Sequence, residues 1–97
     1  MEVKYSNKIS KTLKDENTIK RCYGKLSKNI VTCISVLNFA DNLGQVPNVP
    51  PTRRHKLSTG NWAIDLSANY RLIVRPLKGE NLDEIDSIEI VNIEDYH

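Results

Sequence analysis

A two-layer α+β domain is what this chain of 97 residues predicts, on three observations. Apolar residues recur at helical spacing between Ile9 and Leu37. A Pro-rich connector over residues 42–51 interrupts that pattern, and beyond it the apolar period becomes two. Helices placed ahead of mostly antiparallel strands cover one face of a sheet. The expected architecture is an N-terminal strand and a helical hairpin packed on a mostly antiparallel sheet of about four strands, a single domain over residues 1–97.

The elements follow in order. Val3 and Tyr5 alternate with Glu2 and Lys4 as a short opening strand. Ser6 or Asn7 can cap a short helix that carries Ile9 and Leu13. The run Asp15-Glu16-Asn17-Thr18 supplies capping oxygens and early negative charge to a second, longer helix. Ile19, Cys22, Tyr23, Leu26, Ile30, Cys33, Ile34 and Leu37 make one apolar face along it, and Gly24 is a weak point within it. After the connector, Trp62, Ile64 and Leu66 share a face, as do Tyr70, Leu72 and Val74. Pairing Leu66 with Tyr70, Ile64 with Leu72 and Trp62 with Val74 turns all six toward the helices and leaves Ala63, Asp65, Arg71, Ile73 and Arg75 on the other side. In the last strand the apolar phase slips between Ile90 and Val91, so it is either buried on both faces or bulged.

Composition narrows the function classes. Residues 1–75 hold 13 Lys/Arg against 5 Asp/Glu, a balance of +8, whereas residues 76–97 hold 1 against 7, a balance of −6. A basic body with an acidic closing segment fits a polyanion-binding surface; segregated solvated charge has the same signature. No signal peptide or membrane span is read at Met1-Glu2-Val3-Lys4 or later, so a cytoplasmic location is expected. Cys22 and Cys33, eleven apart on one helix, would be roughly 16 Å apart. A disulfide spans roughly 4.4–6.8 Å between Cα atoms, so both are expected as buried free thiols. No local His/Cys ligand pair and no Gly-rich phosphate loop occurs, so neither a metal nor a cofactor is expected.

Three groups of residues can carry chemistry. Asp95-Tyr96-His97 follows directly on a strand-like apolar run, which anchors an imidazole, a phenol and a carboxylate at a sheet edge. Histidine, with an ordinary pKa of about 6.5, exchanges protons near neutrality. Arg71 and Arg75 lie on the face away from the helices, where guanidiniums can hold a phosphate. Arg71 also stands opposite Asp65, and a cross-strand ion pair is an equal account of it. Arg53-Arg54-His55-Lys56 enters a strand as a basic cluster with a second imidazole, or serves as a charged edge that discourages aggregation. Trp62, the only tryptophan, keeps phase with Ile64 and Leu66 as a core anchor.

With these residues in place, the chain resembles the HigB branch of the RelE/ParE toxin superfamily of bacterial toxin–antitoxin modules. The resemblance rests on Arg53-Arg54-His55-Lys56-Leu57, on the run from Gly60-Asn61-Trp62 to Tyr70-Arg71-Leu72-Ile73, and on Ile90-Val91-Asn92-Ile93-Glu94-Asp95-Tyr96-His97. It implies a RelE-like fold and a metal-independent endoribonuclease that cleaves mRNA in the ribosomal A site. It also implies a cognate helix-turn-helix, HigA-like antitoxin, with operator DNA bound through the toxin–antitoxin complex. Carried over by position, the catalytic group is His55, Arg71, Asp95, Tyr96 and His97, and the RNA contacts are Arg53, Arg54, Lys56 and Arg75. Where many relatives place a longer basic segment, this chain has Ser58-Thr59-Gly60-Asn61, a departure that bears on RNA affinity and ribosome dependence. Two other classes stay open on the same residues: a ParE-like inhibitor of DNA gyrase that acts by binding, and an inactive module that binds only its antitoxin.

Overall fold

Five strands form one sheet in the order β1-β5-β4-β3-β2 in the computed structural model, which describes residues 1–95. They are β1 (Glu2–Tyr5), β2 (His55–Lys56), β3 (Trp62–Asp65), β4 (Tyr70–Pro76) and β5 (Ser87–Asp95). β1 runs parallel to β5 and every other pair is antiparallel. β2, only two residues long, is the strand that the basic cluster was expected to enter, and the sheet has five strands rather than about four.

The hairpin register is the expected one. Trp62 pairs with Val74, Ile64 with Leu72 and Asp65 with Arg71, and the Leu66 amide donates to the Tyr70 carbonyl at 2.9 Å. Ile64, Leu66, Leu72 and Val74 enter the core beneath the helices, and Trp62 packs against it half-buried. Tyr70, at the hairpin end, stays 37 % exposed.

The phase slip in β5 is a bulge. Ile73 pairs with Asn92 but Val74 pairs with Ile90, so Val91 is the extra residue. The bulge lets Ile88, Ile90 and Ile93 all face the helices, across from Pro76, Val74 and Leu72. Asn92 and Glu94 thereby fall on the other face, beside Ile73 and Arg71.

The helical layer departs from expectation. The short first helix is there as α1 (Asn7–Leu13), but the long second one is two, α2 (Glu16–Tyr23) and α3 (Ser27–Phe39), with a single 3₁₀ turn, Gly24–Leu26, between them. Gly24 adopts φ +54°, ψ −119°, a conformation open to glycine, and its amide donates to the Lys20 carbonyl. Of the two thiols expected to be buried, Cys22 is exposed on α2, while Cys33 is buried on α3 and burial pushes its thiol up to about 12. The caps are where the sequence put them. Ser6 Oγ accepts from the Ile9 amide at 3.2 Å, and Asp15 Oδ1 accepts from the Thr18 amide at 2.7 Å.

The connector is more than a spacer. Leu43 and Val46 are fully buried in the core, and full burial of one such side chain contributes about 1.5–3 kcal/mol. Among the described residues, no helix is long and apolar enough to cross a membrane.

Candidate functional site

The face of the sheet away from the helices carries the site. Strand alternation places Asp65, Arg71 and Glu94 in one cross-strand row and His55, Ala63, Ile73 and Asn92 in the next. Arg71 was expected on this face and is there, only 9 % exposed. Ala63 and Ile73 beside it are buried as well.

The Arg71 side chain spans β3 to reach β2. Its Nη1 lies 3.3 Å from His55 Nε2, while His55 Nδ1 lies 2.8 Å from the Arg53 carbonyl oxygen. A carbonyl can accept but not donate, and a guanidinium can donate but not accept. Both contacts are therefore met by one form of the ring, with the proton on Nδ1 and the lone pair on Nε2. Asp65, the alternative partner weighed for Arg71, is engaged by Arg53: Nε to Oδ2 at 2.7 Å and Nη2 to Oδ1 at 3.3 Å. An open groove of about 630 Å³ adjoins Arg71, lined also by Lys8, Leu57, Asn92, Ile93, Glu94 and Asp95.

The remaining expected residues divide. Asp95 pairs with Tyr70 in the ladder and so alternates to the helix side, yet it reaches the rim of the Arg71 groove. Arg53 is exposed but lies in the left-handed region at φ +42°, tied to Asp65. Arg54 turns inward: its Nε donates to the Val46 carbonyl at 2.8 Å and its guanidinium lies 5.2 Å from the centre of the Trp62 ring. Burial lowers its pKa from the usual arginine value. Lys56 is exposed, paired with Trp62, and alternates to the face opposite His55. Arg75 shares the Arg71 face and is bound by Glu89 across the ladder, Nη2 to Oε1 at 2.9 Å. Tyr96 and His97 lie outside the described residues.

Sequence reasoning missed Lys8, Asn92 and Glu94. Asn92 and Glu94 become visible once Val91 is recognised as the bulge, because the bulge decides which of the last residues share a face with Arg71. Lys8 carried no signal, since it reaches the groove only through the parallel pairing of β1 with β5. That pairing continues into Ser6, whose amide donates to the Ile90 carbonyl at 3.0 Å and delivers α1 beside the groove.

Over its full length the chain is similar to a solved YoeB/ParE toxin from Agrobacterium tumefaciens. The TM-score is 0.59 and the identity 15 %, with 100 % of each chain covered. The chain has the fold of a YoeB/ParE toxin. At that identity the likeness is one of architecture. No family model matches the chain, and no curated protein matches its sequence.

Proposed function

We propose that this chain is the toxin of a bacterial toxin–antitoxin module, a ribosome-dependent mRNA endoribonuclease of HigB type. The observation that carries the reading is the contact of His55 Nε2 with Arg71 Nη1 at 3.3 Å, on the face of a toxin-type sheet away from the helices and beside an open groove. It sets a proton acceptor and a cation side by side. RNA supplies its own nucleophile, the 2′-hydroxyl. Cleavage therefore needs a base for that proton, positive charge for the phosphoryl oxygens and an acid for the departing 5′-oxygen.

On this reading the substrate phosphate draws the Arg71 guanidinium onto its oxygens, because a charge-assisted hydrogen bond is stronger than the one to a neutral ring. The Nε2 lone pair is then free to take the 2′-hydroxyl proton. The 2′-oxygen bonds to phosphorus and the bond to the 5′-oxygen breaks, leaving a 2′,3′-cyclic phosphate and a 5′-hydroxyl. His97 gives its proton to the leaving oxygen, Asp95 orients that imidazole, and Tyr96 positions a base or ribose. The partners are the 70S ribosome, mRNA and a HigA-like helix-turn-helix antitoxin, through which the complex contacts operator DNA.

Purified protein incubated with translating ribosomes is the test. Breaks in the A-site codon carrying 2′,3′-cyclic phosphate ends are expected. Growth arrest with intact mRNA overturns the reading. One observation favours a second reading, inhibition of DNA gyrase by binding: Arg53 and Arg75 are ion-paired and Arg54 faces inward, which thins the cations offered to RNA. In that case supercoiling activity falls while mRNA stays whole.

A further inference from the structure

We propose that Arg53 and Asp65 are positioning residues that lock the His55 ring with its proton on Nδ1 and its lone pair on Nε2. A free imidazole exchanges between two tautomers, and what the second nitrogen faces selects one. Here the second nitrogen faces the main chain of Arg53 itself, at 2.8 Å. That carbonyl is aimed by an uncommon backbone conformation, φ +42° at a residue other than glycine.

Such a conformation persists only where its surroundings over-determine it, and four ties do so. The Arg53 amide donates to the Val49 carbonyl at 2.9 Å, and the Arg54 amide to the Pro47 carbonyl at 3.0 Å. The Arg53 guanidinium grips the Asp65 carboxylate with two nitrogens, and the Asp65 amide donates to the Thr52 carbonyl at 2.8 Å. Asp65 sits on β3, inside the sheet, so this ion pair fastens the approach to β2 onto a rigid strand. The same residue thus holds the loop through its side chain and the ring through its carbonyl. A wrong tautomer would present an N–H to Arg71 and leave no acceptor there.

The lock itself is independent of what the protein does; its bearing on rate rests on the ribonuclease reading above. Long-range proton–nitrogen NMR of the ¹⁵N-labelled protein, at a pH of about 8.5 where ordinary imidazoles are neutral, reads the tautomer directly. His55→Gln assigns the signal. Wild type should show His55 protonated on Nδ1. Arg53→Ala and Asp65→Ala should each give a mixture of tautomers, and the double variant should be no worse than either, since the two act as one unit. Arg53→Gly, which meets the positive φ without strain, should release the ring likewise and guards against misfolding of the Ala variant. Arg53→Lys, keeping one charge on Asp65, should restore part of the lock.

In cleavage assays Arg53→Ala should lower kcat about 10–100-fold, the range for partners that orient a functional imidazole from behind, with KM unchanged. A ring that stays on Nδ1 in all the Arg53 and Asp65 variants overturns the proposal, as does a rise in KM at constant kcat, the result for a plain RNA contact. If the variants free the ring but the wild type cleaves no RNA, the lock stands and the ribonuclease reading fails.

Discussion

Arg71 stands opposite Asp65 in the ladder, but the carboxylate is held by Arg53 and the guanidinium reaches His55 instead. This decides what substitutions at these residues report. Removing Arg71 takes away the donor placed for phosphoryl charge, and a loss of roughly 10²–10³-fold in mRNA cleavage is expected. Removing His55 takes away the base, with a loss of roughly 10²–10⁴-fold. Because Arg71 is buried, its stem also packs, so Arg71→Ala confounds charge with packing. Arg71→Met keeps most of the stem and should lose activity to the same extent while its melting temperature stays closer to wild type. If Arg71→Met keeps wild-type cleavage in a primer-extension assay, Arg71 belongs to the fold and not to the reaction.

The elements differ in how plainly the sequence announced them. The β3–β4 register was readable because two alternating runs joined by a short turn admit one pairing that turns Trp62, Ile64, Leu66, Tyr70, Leu72 and Val74 to the same face. The division of α2 from α3 was not, since one residue's backbone angle makes it and periodicity does not carry that angle. No atom lies within 4 Å of where a Cβ would stand on Gly24, so Gly24→Ala is opposed by conformation alone. About 1–3 kcal/mol of stability should be lost in urea unfolding; no loss would mean the break is set by packing around it.

At the start of α2, the Thr18 amide and then its hydroxyl hold the Asp15 carboxyl below its ordinary value of 3.8. A group whose folded pKa is depressed contributes stability above its unfolded pKa, and that contribution is lost as pH falls through the folded value. The melting temperature of Asp15→Ala should thus trail wild type by a constant gap above about pH 5, and the gap should close as pH falls through the depressed folded value. A gap independent of pH would show that the cap acts without its charge.

On the scale of the whole molecule, the +8 balance of residues 1–75 overstates what RNA can meet. Arg53 and Arg75 are ion-paired and Arg54 is spent on the Val46 carbonyl and the Trp62 ring. The groove takes its positive charge from Arg71 and from Lys8, a residue brought in from the far end of the chain by the β1–β5 pairing. Strand alternation made the Arg71 part of the site readable and the family resemblance supplied His55, whereas only long-range pairing assigns Lys8. Glu94 and Asp95 line the same groove as Lys8 and Arg71, so its described lining sets two cations beside two carboxylates rather than presenting a broad basic patch. Binding to single-stranded RNA weakens with salt with a log–log slope of about −0.7 per phosphate contacted. Lys8→Ala should make that slope shallower by about 0.7, whereas Arg54→Ala should leave the slope unchanged and lower the melting temperature. The measurement is fluorescence anisotropy with a short RNA across a salt series. Equal changes in slope for Lys8→Ala and Arg54→Ala would mean that charge anywhere on the body binds RNA, and the groove would lose its claim to be the path of the strand.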